Sequence, residues 1–228
     1  MRREGNIIQE IIDHGNMSDS FDQVLRGTVR KKCREGQELL AHREEVIANL
    51  QREIADGTFT VSEYRERDIY EYGKHRRLQI VKMERRIGCH AIMRVVDRHL
   101  HRRFIRTTGA SIKGRGTHDM MQQVSAALRD NPHLKYAYQF DIRHFYENVD
   151  HQLAKDAYAH VFKDKVLLQI LGSLIDLLEH GISFGLRTSQ ATGNLILSIH
   201  LDHPIKDEMG VKHYFRYCDD GLVLAESK

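Results

Sequence analysis

Apolar positions recur at helical spacing early in the chain. Leu39, Leu40, Val46, Ile47, Leu50 and Ile54 share one face of a helix predicted over 39–54, with Gly57 near its end. A short β-like patch follows at Thr58, Phe59, Thr60 and Val61. Over 68–81 charged, aromatic and apolar residues alternate, which predicts a hairpin around Gly73. Helix returns over 87–104 and 120–128. Over 163–179, Val166, Leu167, Ile170, Leu171, Leu174, Leu177 and Leu178 predict a helix packed in the core, stopped by Gly181.

Two runs break this helical pattern. Tyr136, Ala137, Tyr138, Gln139, Phe140, Asp141 and Ile142 form a β-rich segment ending in a single acid, and Asp150 is a candidate N-cap for the helix after it. Over 214–224, aromatic and apolar residues alternate on both sides of Asp219-Asp220-Gly221. Asp-Gly favours a tight hairpin because glycine accepts the positive φ that the turn needs.

The two adjacent carboxylates at this turn repel, so a cation is their natural partner. An Asp-Asp-Gly taken alone is also an ordinary solvated turn. A strand-terminal Asp141 beside it changes the reading, because carboxylates from distant sequence would then surround one metal pair. Two divalent ions about 3.5–4 Å apart are a standard device for in-line phosphoryl transfer.

Composition sets bounds without choosing a function. The 228 residues are 41% apolar, enough for one large or two modest domains, and the net charge of +3 does not by itself point to nucleic acid. The distribution is more informative. Arg94, Arg98 and Arg102 line one face of the helix predicted over 87–104, with His101, Arg103 and Arg106 nearby, as a phosphate-tracking stripe or an ordinary solvated face. Lys113-Gly114-Arg115-Gly116 lacks the Lys-Ser or Lys-Thr of a nucleotide-hydrolase loop, leaving a basic surface loop or a template contact. Cys33, Cys89 and Cys218 are too scattered for a disulfide framework or a zinc knuckle, which suggests a reducing compartment. The N-terminus has no signal-peptide core, and no stretch approaches the ~20 apolar residues of a membrane span, so the expected location is cytoplasmic. The fifteen histidines include no His-Glu-x-x-His pattern.

Three blocks in order resemble a known family. Phe140-Asp141-Ile142 with the following Phe145-Tyr146 is similar to motif A of the reverse transcriptase palm, and Tyr217-Cys218-Asp219-Asp220 to its motif C. Between them, residues 181–195 resemble motif B, with Gly185 at its flexible glycine and Ser189-Gln190 at its Ser-Pro end. Upstream, Arg85-Arg86-Ile87-Gly88-Cys89-His90-Ala91-Ile92-Met93 and Lys113-Gly114-Arg115-Gly116-Thr117-His118 are similar to two finger segments. The likeness covers about residues 60–228, and the bacterial retron, diversity-generating and group II intron types are nearest in character. Three departures stand out. Ser183 replaces the usual Pro of motif B, Arg85 replaces Asp in the fingers, and Pro204 falls in the helix expected after motif B.

The resemblance implies an α+β right-hand polymerase with an antiparallel palm sheet backed by helices. Its parts would be an N-terminal helical extension over 1–58, fingers over 59–135 and palm over 136–228. The thumb that family members carry after motif C is absent, so the chain reads as a fragment not active alone. The implied activity is RNA-directed DNA polymerisation, in a bacterial retroelement or defence element. Asp141 and Asp219, with the Ile142 carbonyl and Asp220, would hold two Mg2+ ions, with Mn2+ as a substitute. Lys74, Arg76, Arg77, Arg143, His144, Phe145, Tyr146, Gly185 and Gln190 would meet the dNTP, with Tyr146 as the steric gate against a 2′-hydroxyl. Arg94, Arg98, Arg102, Lys113, Arg115, Tyr217 and Cys218 would contact template or primer. Partners would be an RNA template, a DNA or RNA primer, dNTPs, and a thumb segment or noncoding RNA, with no membrane.

Two alternatives remain open at this point. One is a maturase-like RNA-binding module without polymerase activity; three clustered, mutually repelling acids speak against a pure scaffold. The other is an RNA-directed RNA polymerase, whose usual Gly-Asp-Asp hairpin and non-aromatic gate differ from Tyr217-Cys218 and Tyr146.

Overall fold

The computed structural model describes residues 3–71 and 73–227; the side chains of Glu71 and Lys74 lie outside the described set. The chain has an α+β fold. Five helices open it: α1 (Ile7–Ile11), α2 (His14–Val24), α3 (Thr28–Lys32), α4 (Arg34–Ala41) and α5 (Arg43–Ala55). A hairpin follows, β1 (Tyr64–Glu71) and β2 (Lys74–Val81), leading into the long α6 (Met83–His101). Then come β3 (Thr108–Gly109), α7 (Thr117–Asp130), β4 (Tyr136–Asp141), α8 (His151–Val161), α9 (Lys165–Ile175), α10 (Arg187–Leu197), β5 (Tyr214–Tyr217) and β6 (Asp220–Ala225).

The expected hairpin is present, turning through Gly73 at φ 75°. A second sheet has strand order β3-β5-β6-β4, with β3 parallel to β5 and the other pairs antiparallel. One apolar core runs from α1 to α10 and takes in Val81 of β2, while Tyr214, Phe215 and Leu224 of the second sheet are buried outside it. α6 lies within it, burying Ile87, Ile92, Met93, Val95, Val96 and Leu100. Met17 and Phe21 of α2 and Leu50 and Ile54 of α5 are fully buried in the same cluster.

Several sequence expectations need correction. The helix expected over 39–54 is two helices, broken at His42, where φ is −115°. The patch at 58–61 pairs with no strand. Thr58 and Phe59 instead donate their backbone N–H groups to Glu53 O, closing α5, and Phe59 and Val61 are buried. Helix α6 starts at Met83 rather than Ile87, because Glu35 of α4 accepts from the Met83 N–H at 2.5 Å and satisfies a free donor of its first turn. Gly181 does not end the helix before it: α9 stops at Ile175. With φ at 69°, Gly181 brings the chain against the Tyr146 carbonyl, which an added Cβ would meet at 2.5 Å.

The helix after α10 changes character around Pro204. Ser198–Asp202 and Pro204–Glu208 are π-helical, a widened ladder that accommodates the missing proline N–H. Asp150 caps α8 as expected, accepting from the Leu153 N–H at 2.7 Å.

Candidate functional site

Strand register sets two of the three acids of the sequence reading side by side, and a backbone bond brings the third to the same strand end. In the β4-β6 ladder Asp141 stands directly opposite Asp220, and in the β5-β6 ladder Tyr217 also faces Asp220. The Ile142 N–H donates to Asp219 O at 3.3 Å, so the end of β4 is fastened to the hairpin tip. Neighbouring strands lie about 4.8 Å apart, which places these carboxylate-bearing residues side by side. Asp141 and Asp220 are exposed and Asp219 is half-buried. The turn itself is bent at Cys218, a non-glycine residue with φ at 55°. Burial, then the neighbouring Asp219 carboxylate, raises the Cys218 thiol, so it stays protonated.

Behind the turn lies a buried polar network. Arg216 of β5 is fully buried; its Nε donates to Asp202 Oδ1 and its Nη2 to Asp202 Oδ2, both at 2.7 Å. Its Nη1 also donates to Asn194 Oδ1 at 3.0 Å and to Cys218 O at 2.6 Å. Asp202 further accepts from Tyr214 and Thr108, each at 2.8 Å. The chain end of β5 is therefore tied to α10 and to its π-helical continuation.

In front of the acids opens a cavity of about 600 Å³ lined by His75, Arg76, Asp141, Tyr146, Phe184 and Asp219, among others. Tyr146 stacks on Phe184, with ring centroids 5.1 Å apart and planes at 26°. The Tyr146 carbonyl accepts from the Ile182 N–H at 2.8 Å. Burial, then Cys218 and Asp219, raises the Tyr146 phenol well above its ordinary range, so it stays neutral. Residues 181–187 are in turn docked on β2. The buried Gln79 accepts from Ser183 Oγ at 3.1 Å and from the Phe184 N–H at 3.2 Å, while Ser183 Oγ accepts from the Gly185 N–H at 3.1 Å. Gly185 passes so close to β2 that a Cβ would sit 1.7 Å from Gln79 O.

The remaining residues named from sequence fall in different places. Arg76, Arg143, His144, Phe145, Tyr146 and Gln190 line the cavity with Asp141, Ile142 and Asp219. Arg77 does not: strand alternation puts it on the other face of β2, paired with Asp68 at 3.2 Å and Glu66 at 3.7 Å. Lys74 cannot be placed against the cavity, because its side chain is outside the described residues. Gly185 borders a neighbouring cavity instead.

Arg94 and Arg98 of α6 face the N-terminal helices, pairing with Asp19 at 2.6 Å and Glu10 at 3.0 Å, while Arg102 is exposed at the helix end. Lys113 is exposed, and Arg115 donates to Ile105 O at 2.9 Å. Their loop lies beside Tyr217, since a Cβ on Gly109 would meet both Arg115 O and Tyr217 Cδ2 at 3.1 Å.

Asp141, Asp219 and Asp220 offer oxygen ligands only, and among the described residues no group of three or more His, Cys, Asp and Glu side chains is placed to hold a metal ion. Among the described residues no helix is long and apolar enough to cross a membrane. No family model matches this chain, and no curated protein matches it.

Sequence reading missed Gln79, Ser183, Phe184, Asp202 and Arg216 as parts of this site. For Arg216 a signal exists: a lone cation at an inward position of an otherwise aromatic strand requires a buried acid.

Proposed function

We propose that this chain carries the nucleotidyl-transfer centre of an RNA-directed DNA polymerase of bacterial retroelement or defence type, with the fingers and palm of a right-hand polymerase. The observation that carries the reading is the register that sets Asp141 opposite Asp220 and ties Ile142 to Asp219 at the mouth of a cavity bearing Arg76 and Tyr146. The resemblance of three ordered blocks supplies the reaction class; the geometry gives each residue work to do.

Asp141 and Asp219 would hold two Mg2+ ions, which when bound activate the primer hydroxyl and neutralise the departing pyrophosphate. The chain's own residues supply the positioning. Arg76 and Arg143 line the cavity as cationic partners for a triphosphate. Tyr146, stacked on Phe184 and anchored through its carbonyl, offers a fixed ring against which a deoxyribose packs and a 2′-hydroxyl collides. The half-buried Cys218 leaves room at the turn for a primer terminus. A cytoplasmic setting and association with a structured RNA belong to the same proposal.

Primer extension by the complete product of the gene, on RNA and DNA templates with Mg2+ and each of the four dNTPs, tests it. Template-directed dNTP addition supports the reading, whereas tight RNA binding without addition under any divalent ion would favour the maturase-like alternative.

A further inference from the structure

Beside the cavity, on the other side of Gly185 and Leu186, lies a second pocket of about 180 Å³. It is formed where the N-terminal helices meet α6, and three arginines line it: Arg30 of α3, Arg86 of α6 and Arg187 of α10. Arg187 is paired with Asp97 at 2.9 Å. Among the described residues neither of the other two is hydrogen-bonded to a carboxylate, although Glu35 is near enough to Arg86 to favour its charge. Arg30 uses one N–H on Val24 O at 2.9 Å, and among the described residues no group accepts from the Arg86 guanidinium. A guanidinium carries five donors, and those of the half-buried Arg86 and the exposed Arg30 are open to a ligand entering the pocket.

Two further observations point the same way. His90 lines the pocket, and its Nδ1 is buried with no hydrogen-bond partner. Burial, then repulsion from Arg187 and Arg94, lowers this imidazole to about 4, so it is neutral near pH 7 and the pocket's charge comes from its arginines. Arg86 is likewise pushed down by burial and then by Arg30, as two cations sharing one space would be. Arg30 is exposed, with its backbone packed against α4. Gly36 lets its carbonyl approach so closely that a Cβ there would lie 1.9 Å from Arg30 O.

We infer that the Arg30–Arg86 pocket binds a phosphodiester of a single-stranded nucleic acid, so that the N-terminal helices complete a strand-binding track running past Gly185 into the cavity. The inference rests on the polymerase reading for the strand's destination, while the anion chemistry stands on the pocket alone. The Arg86 fork and the donors Arg30 keeps beyond its bond to Val24 O suit phosphate oxygens, and a volume far above the ~10–15 Å³ that one water needs admits a hydrated anion.

The test measures binding of a single-stranded RNA oligonucleotide by fluorescence anisotropy across a salt series, with the full chain. Arg30→Gln and Arg86→Gln should each weaken binding about tenfold and flatten the slope of log K against log salt by about 0.7. Arg86→Lys should keep the slope while losing part of the affinity, because the charge remains and the fork does not. Asp219→Asn should abolish extension without moving either quantity. If wild type never extends a primer but Arg86→Gln flattens the slope, the pocket stands and the polymerase reading falls. Unchanged slopes in both glutamine variants, with thermal unfolding like wild type, overturn the inference. Saturable binding of inorganic phosphate lost in Arg86→Gln, with RNA binding unmoved, would also overturn it by making this a free-phosphate site.

Discussion

Arg216 and Asp202 form a fully buried ion pair at 2.7 Å, and the same guanidinium reaches Cys218 O at 2.6 Å. The backbone of the strained turn that presents Asp219 is thus held by a residue three positions away, itself fixed from behind by the π-helical stretch after α10. Removing one partner of such a pair leaves an uncompensated buried charge. Asp202→Ala should therefore cost about 3–5 kcal/mol in chemical denaturation. The double variant Asp202→Leu with Arg216→Met should recover much of that stability, since apolar replacement of both partners is often tolerated. It should not recover primer extension, because nothing then holds the Cys218 carbonyl. Extension restored along with stability would show that the pair is only structural.

Tyr146 owes its position to Phe184 and to the Ile182 N–H, both from residues 181–195. Tyr146→Ala should raise ribonucleotide incorporation relative to deoxyribonucleotide by about 10- to 200-fold, the span that small changes in pocket shape supply. Competing rNTP and dNTP incorporation in single-nucleotide extension measures it, and unchanged discrimination contradicts the gate assignment.

Ser183 occupies the position where the resembling family has proline, and here it earns a specific role between Gln79 and the Gly185 N–H. Ser183→Ala should destabilise by about 1 kcal/mol, or a melting-temperature drop of roughly 2–4 °C for a chain of this size. Calorimetry reads this directly. An unchanged melting temperature would mean that the bond between β2 and this turn contributes nothing.

The half-buried His90 makes stability depend on acidity in a known direction. Its folded-state value lies near 4 and its ordinary value near 6.5, so between these the unfolded chain binds the extra proton. Stability attributable to this group is present above about pH 6.5 and lost as pH falls toward 4. His90→Phe should flatten the acid limb of unfolding free energy in that window; an identical limb would contradict the assignment.

Much of the site was readable in the sequence because it depends on short-range patterns. Period-two alternation marked β5 and β6, and the same alternation aligned Asp141 with them once β4 was recognised, but the turn expected at Asp220-Gly221 falls instead at Cys218-Asp219, with Cys218 taking the positive φ and Gly221 paired inside β6. It also separates Arg76 from Arg77, which the family resemblance had grouped together. What stayed hidden joins residues far apart without a local signature. Ser183 and Gln79 are 104 positions apart, and neither is unusual in its own segment. Likewise the break at His42 follows no glycine or proline, and it arises where α4 and α5 each turn a separate apolar face to the core. The π-helical stretch around Pro204 was half legible: proline announced an irregularity, but tertiary packing chose its form.

The paired acids are the most exposed part of the account. Single-turnover primer extension with saturating Mg2+ should fall by at least about 10³-fold in Asp141→Asn and Asp219→Asn, and less in Asp220→Asn, with primer-template affinity unchanged. Extension at the wild-type rate in Asp141→Asn or Asp219→Asn would contradict the assignment of this hairpin as a nucleotidyl-transfer centre.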